Sequence, residues 1–113
     1  MFESADQKLD ELQVDKFFGL YCDTNSTDAS AISIITPATA LVSGGAETRT
    51  LANGREGQMK YLFAKTAVGA ITITPVNLKG YTTVVLGAAG RGATLIFCAG
   101  EWHCVSLGYG TMG

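Results

Sequence analysis

Residues 93–98 read ATLIFC and residues 102–107 read WHCVSL, two short runs separated by the tripeptide AGE. Both runs are rich in β-branched and aromatic residues, which are enriched in strands, and glycine lies close to their ends. The same description fits residues 70–75 (AITITP) and 82–86 (TTVVL). The repeated pattern predicts a ladder of short strands, so we interpret the chain as an all-β protein.

Three further strands are predicted before this ladder, over residues 34–43, 46–52 and 57–66. Gly-Gly at 44–45 separates the first two, and Asn-Gly at 53–54 is a strong turn signal because both residues tolerate positive φ. Seven or eight strands at near-regular spacing predict a small antiparallel sandwich, a jelly-roll-like domain or a barrel. The sequence contains no long-period repeat of the solenoid type.

Alternation within residues 57–66 divides the side chains between two faces, because successive residues of a strand point to opposite sides. Met59, Tyr61 and Phe63 lie on one face, and Lys60, Leu62 and Ala64 lie on the other.

Residues 1–22 differ in pattern from the rest, and we interpret them as an N-terminal arm before a β domain over residues 23–113. An S-x-x-Q capping box predicts a short helix or a flexible arm over about 4–12. Strand-like alternation then predicts an extended segment by about 16–22. Residues 23–33 are rich in turn formers, which predicts a polar connection.

The arm carries apolar side chains that we predict to contact a partner. A few buried aromatic and aliphatic groups dominate most interfaces, so these side chains are the predicted anchors. They are Phe2, Leu9, Leu12, Phe17 and Phe18.

Composition limits the classes of function. The 113 residues are 47% apolar and 16% charged, which predicts one globular domain with apolar surface left for partner interfaces. The formal net charge is −2, and no basic cluster indicates nucleic-acid binding. No run approaches the ~18 apolar residues of a membrane span. Three cysteines, an odd number without a secretory signal, predict free thiols in a protein made in a reducing cytoplasm.

Residues that could carry chemistry are few, and their spacing is poor. Cys98, His103 and Cys104 could be metal ligands or a nucleophile with its base, but adjacent strand residues point to opposite faces. Residues 87–92 (GAAGRG) resemble a phosphate-binding loop, yet a strand follows where such a loop needs a helix N-terminus. We therefore expect no enzyme activity, no metal site and no cofactor. The lone Trp102 either packs in the core or stacks on a sugar.

Four motifs in order resemble a β domain of tailed-phage virion proteins over residues 44–110. TLANGREGQMK is similar to the family's L-x-x-G-x-E-G-Q-x-K opening, and TITPVNLKG to its T-I-T-P-x-N-x-x-G segment. GRGATLIF and GEWHCV are similar to its T-L-x-F strand and its G-x-W-x-x-V hairpin. The chain departs from the family at Arg91, where an acidic residue is common.

The resemblance implies a structural role, because such domains occur in head-decoration proteins, head fibres and tail-fibre modules, usually as β-rich homotrimers. Our first hypothesis is a trimeric capsid decoration (cement) protein that binds the major capsid protein on the virion exterior and stabilises the shell. The second is a fibre module that binds a host receptor or glycan. An exposed Trp102 or Tyr81 would favour the second hypothesis, and a buried Trp102 the first.

Overall fold

The computed structural model describes residues 21–108 and 111–112, which form two five-stranded sheets. The ten strands are β1 (Cys22–Asn25), β2 (Ser30–Ile32), β3 (Ala38–Ser43), β4 (Glu47–Leu51), β5 (Met59–Ala67), β6 (Ile71–Pro75), β7 (Val84–Leu86), β8 (Gly92–Cys98), β9 (Glu101–Gly108) and β10 (Thr111–Met112). Sheet A has the order β1-β3-β5-β8-β9, and sheet B has the order β10-β7-β6-β4-β2. The predicted all-β class is confirmed. No helix among the described residues is long and apolar enough to cross a membrane.

The first six strands alternate between the two sheets. β1, β3 and β5 pair in parallel in sheet A, and β2, β4 and β6 pair in parallel in sheet B. The chain therefore winds as a coil through both sheets. Cys22 aligns with Ala38, and Ala38 aligns with Tyr61, so successive windings have unequal lengths. Unequal windings leave no fixed period in the sequence, which explains why no solenoid repeat is detected.

The later strands reverse this direction. β7 pairs antiparallel with β6, β8 pairs antiparallel with β5, and β8 and β9 form a hairpin. The predicted antiparallel pairing therefore holds for the second half of the domain, whereas the strands of the first half pair in parallel. Asn-Gly at 53–54 predicts a tight turn between neighbouring strands, but it lies in a connection that crosses from sheet B to sheet A.

The segment predicted as a polar connection, residues 23–33, contains most of β1 and all of β2, so that prediction is wrong. β1 was missed because the side chains that it turns inward, Asp23 and Asn25, are polar. Of the predicted arm, only Tyr21 and Cys22 fall within the described residues.

The core lies between the sheets and follows the alternation of the strands. In β8, for example, Ala93, Leu95 and Phe97 are buried and the residues between them are not. Burying one such large side chain stabilises the fold by about 1.5–3 kcal/mol. The apolar core consists of Ile32, Leu41, Leu51, Leu62, Ala64, Ile71, Ile73, Val84, Leu86, Ala93, Leu95, Phe97 and Trp102.

Candidate functional site

Trp102 is fully buried, which decides between the two interpretations of this residue in favour of packing. Its ring meets Phe97 edge to face, with the centroids 5.2 Å apart. The indole Nε1 donates a hydrogen bond to the Ala52 carbonyl oxygen at 2.9 Å. Backbone bonds to Asn77 and Lys79 join the same residue to the connection after β6. Trp102 therefore joins three segments, and its ring has no face open to a sugar.

The residues proposed as metal ligands or as a nucleophile with its base do not converge. Cys98 pairs with Glu101 across the β8–β9 hairpin, whereas His103 pairs with Ile96. The His103 ring lies 3.0 Å from the Cys98 carbonyl oxygen, a backbone contact. Burial raises the pKa of the Cys104 thiol, which opposes formation of a reactive thiolate. Among the described residues, no group of three His, Cys, Asp or Glu side chains could hold a metal ion.

The glycine-rich segment 87–92 crosses from β7 in sheet B to β8 in sheet A. Gly90 adopts φ +89°, and its N–H donates to the Ala64 carbonyl oxygen at 2.8 Å. β8 follows directly, so no helix N–H groups are aimed at a phosphate. The segment is a turn between sheets, as its sequence context predicts.

The outward side of β5, β8 and β9 carries a patch of mostly uncharged side chains, which we call the β5–β8–β9 face. Lys65 on β5 and Glu101 on β9 lie on the same side, beyond the ends of the patch. Its residues form three cross-strand rows: Met59, Ile96 and His103; Tyr61, Thr94 and Ser106; Phe63, Gly92 and Gly108. Val105 lies where the β8–β9 register shifts. Met59 is 39% exposed, Phe63 38% and Val105 58%. None of the nine row positions is Asp, Glu, Lys or Arg.

A notch lies within the face beside the Phe63 ring. Gly92 and Gly108 occupy paired positions, so no side chain rises above the sheet there. The space has a volume of about 300 Å³, with Tyr61, Thr94 and Ser106 on its other sides. A Cβ on Gly92 would lie 2.8 Å from the Leu62 carbonyl oxygen, so only glycine fits at that position. The notch therefore follows from the close approach of β8 to β5.

Lys60 lies on the core side of β5 and is fully buried. Its Nζ donates hydrogen bonds to the Thr36 carbonyl oxygen at 2.7 Å and to the hydroxyls of Thr36 and Thr39 at 3.0 and 2.7 Å. Both hydroxyls donate in turn to the Asp23 carboxylate on β1. Burial lowers the pKa of Lys60, and the negative charge of Asp23 opposes that shift.

Arg49 is a second fully buried cation, on β4. Its Nε donates to the Asn25 side-chain oxygen at 2.6 Å, which attaches β1 to β4. Its Nη2 donates to the Val42 carbonyl oxygen and to the Glu47 carboxylate, both at 2.9 Å. Among the described residues, every buried side-chain N or O atom has a hydrogen-bond partner. These polar groups replace apolar packing where the first winding meets the rest of the domain.

A second concavity, of about 570 Å³, lies over the β4–β5 connection and includes Ile34, Ile35, Arg55 and Glu56. The Glu56 carboxylate accepts hydrogen bonds from the Ala99 and Gly100 N–H groups at 3.0 and 3.1 Å. These bonds lower the pKa of Glu56 and attach the connection to the β8–β9 turn. The Glu56 carboxylate therefore has a structural role, because it is already hydrogen-bonded to backbone N–H groups.

No protein-family model matches this chain, and no curated protein is significantly similar to it. Its function is therefore inferred from its own residues and surfaces. The predicted anchors Phe2, Leu9, Leu12, Phe17 and Phe18 all lie outside the described residues.

The β5–β8–β9 face was only partly recognisable in the sequence. The alternation of residues 57–66 places Met59, Tyr61 and Phe63 on one side of a strand. The rows across three strands depend on register, which alternation within one strand does not specify.

Proposed function

We propose that this protein is a capsid decoration (cement) protein of a tailed phage, a homotrimer that binds the major capsid protein on the outer surface of the shell. The observation that carries the proposal is the β5–β8–β9 face, because exposed apolar side chains grouped on one side of a sheet are typical of partner interfaces. The resemblance of residues 44–110 to virion β domains supports the same role.

The buried Trp102 supports a scaffold over a sugar-binding tip. Among the described residues, the side chains proposed for chemistry do not converge, so binding is favoured over catalysis. A decoration protein stabilises a shell by mass action, because a ligand that binds only the assembled shell lowers the free energy of that state. This role requires surfaces and no reactive group.

The arm supplies the shell contact in this proposal. Its acidic residues and its five apolar anchors come before β1 in the sequence, and β1 is an edge strand of sheet A. Deleting residues 1–18 is expected to leave the β domain folded and to abolish binding to purified shells, measured by co-sedimentation. Full occupancy of the shells by the truncated protein would exclude the arm as the anchor.

A fibre module that binds a host receptor or glycan is the second candidate, favoured by one observation. Tyr81, on the connection after β6, is 54% exposed and offers an aromatic surface. Binding to host cells that is lost in Tyr81→Ala, with no binding to shells, would establish this role. Shell binding unchanged by Tyr81→Ala would instead support the decoration role.

A further inference from the structure

We infer that the concavity of about 570 Å³ over the β4–β5 connection is a docking site for the N-terminal segment of the same chain, residues 1–20. We call this concavity the Ile35 cleft. Phe17 and Phe18 are the side chains that it receives. The docking concerns the protein free in solution and does not depend on the decoration role.

The chain enters the domain beside the Ile35 cleft. Cys22 in β1 pairs with Ala38, the first residue of β3, so β1 begins at the end of sheet A where the segment 33–37 leads into β3. The Thr36 hydroxyl, next to Ile35 in the sequence, donates a hydrogen bond to the Asp23 carboxylate at 3.1 Å. The chain before Tyr21 therefore joins β1 close to Ile35.

The length of chain before β1 is sufficient for the contact. The cleft reaches Gly57 and Gln58, directly before β5, and β5 lies two strand positions from β1, about 10 Å away. An extended chain covers at most about 3.3–3.6 Å per residue, so the four residues from Phe17 to Tyr21 can span about 14 Å. Phe17 and Phe18 can therefore reach the cleft while β1 stays paired with β3.

The surface of the cleft suits an apolar occupant. Ile35 is 89% exposed, and the neighbouring Ile34 is partly buried against the core. Covering an exposed isoleucine with an aromatic side chain removes apolar area of both from water, which is favourable in proportion to that area. Clefts that hold ligands measure about 300–1,000 Å³, so a cleft of about 570 Å³ has room for an aromatic ring.

Charge favours this segment as the occupant. Arg55 is exposed at the cleft and makes no ion pair among the described residues. The neighbouring Glu56 carboxylate already accepts two backbone N–H bonds. Residues 1–20 contain five acidic residues and two lysines, so the segment is attracted to the arginine.

Docking gives the free protein a way to cover two of its own apolar anchors. Uncovered apolar patches promote association with other proteins, and Phe17 and Phe18 in the cleft contribute less to such a patch. A partner that needs these two side chains then has to compete with the cleft. The fraction of molecules with the segment undocked therefore sets the apparent affinity for that partner.

Four substitutions in the full-length chain test the docking. Ile35→Lys places a charge in the cleft at a side chain that is already exposed, and its matched control is Val68→Lys, at a 74% exposed valine between β5 and β6. Arg55→Glu reverses the charge at the cleft, and its matched control is Lys65→Glu, at an exposed lysine near the far end of β5. Circular dichroism verifies that each variant is folded.

Chymotrypsin cleaves after aromatic residues, so its cleavage rate after Phe17 and Phe18 measures how accessible they are. Mass spectrometry identifies the products. We expect cleavage at least about fivefold faster in Ile35→Lys than in the original chain, because the rate follows the population of the undocked segment. Arg55→Glu should also be cleaved faster, and the two control variants should be cleaved at the original rate.

An unchanged rate in Ile35→Lys would overturn the inference, whatever the result for Arg55→Glu. Faster cleavage in Ile35→Lys alone would support the docking and show that apolar contact is sufficient. Equally fast cleavage in the control variants would overturn it, since the effect would not be specific to the cleft. Protection that increases with protein concentration would also overturn it, because the occupant would then be the segment of another copy.

Binding to purified shells separates this inference from the proposed function. Protection of Phe17 and Phe18 by the cleft, in a protein that does not bind shells, would support the docking and refute the decoration role. Shell binding by the original chain, with equal cleavage rates in all variants, would refute the docking and support the role.

Discussion

The two sides of the domain, beside β1 and beside the β8–β9 hairpin, are stabilised by different interactions. Beside β1, the interior contains two buried cations held by directional hydrogen bonds, Lys60 and Arg49. Toward β8 and β9, the interior is apolar and centres on Trp102 and Phe97. Apolar packing loses stability in proportion to the surface removed, whereas a buried polar network loses it when a single partner is missing. The comparison shows that one small domain can use both means.

The largest expected effect is at the apolar end. Trp102→Ala should lower the free energy of unfolding by about 4 kcal/mol, because it removes the largest core side chain and leaves a cavity. Urea denaturation measures the change. Trp102→Phe is the intermediate variant, which keeps one aromatic ring but loses the rest of the indole and its bond to Ala52, so its loss should be smaller. A loss below about 1 kcal/mol for Trp102→Ala would show that the core does not depend on this ring.

The next effect is at the polar end. Arg49→Met should cost about 3 kcal/mol, because it removes the cation that pairs with Glu47 and the donor to the Val42 carbonyl oxygen. It also removes the shortest hydrogen bond to the Asn25 side-chain oxygen. The matched control is Arg55→Met at an exposed arginine, which should change stability by less than about 0.5 kcal/mol. Equal effects of the two substitutions in urea denaturation would mean that the buried network contributes nothing.

A smaller effect is expected where a connection meets the tryptophan. A Cβ on Gly54 would lie 2.5 Å from the Gln58 side-chain oxygen and 3.0 Å from the Trp102 ring, so Gly54→Ala should cost about 1–2 kcal/mol through overpacking. Gly45→Ala is the control, since its Cβ would meet no atom within 4 Å. Thermal unfolding compares the two variants, and an unchanged midpoint for Gly54→Ala would show that the Gln58 side chain and the Trp102 ring can both move aside.

The smallest effect is a difference in pH dependence. Because the pKa of Lys60 is lowered in the folded state, the unfolded chain binds more protons between that value and about 10.4. The free energy of unfolding should therefore receive a rising contribution from Lys60 as pH increases through this window. Lys60→Met should lack this contribution. Urea denaturation of both proteins at several alkaline pH values measures the difference, and parallel curves would contradict a lowered pKa.

Much of the strand layout could be predicted from alternation. The seven strands predicted between residues 34 and 107 correspond to β3 through β9. Alternation succeeds there because one side of each strand is buried in an apolar core. β1 escaped prediction because the partners of its inward side chains are also polar, and β2 has only three residues.

Strand direction could not be predicted, because alternation within a strand carries no information on its neighbour. Lys60 illustrates a related limit. The pattern correctly placed it on one face with Leu62 and Ala64, but a lysine between apolar residues did not reveal that this face is the core. The burial of Lys60 depends on hydrogen bonds to Thr39 on β3 and to Thr36 just before β3. These residues contact Lys60 only in the folded chain.

The winding of the first six strands also affects how fast different strand pairs can form. The β8–β9 hairpin joins residues a few positions apart, and hairpins of this kind form within microseconds. Each parallel pair of the coil joins residues a whole winding apart, and such distant pairing is slow. A ribosome delivers the coil before Trp102, so the first six strands emerge before the side chain on which the apolar end of the core centres.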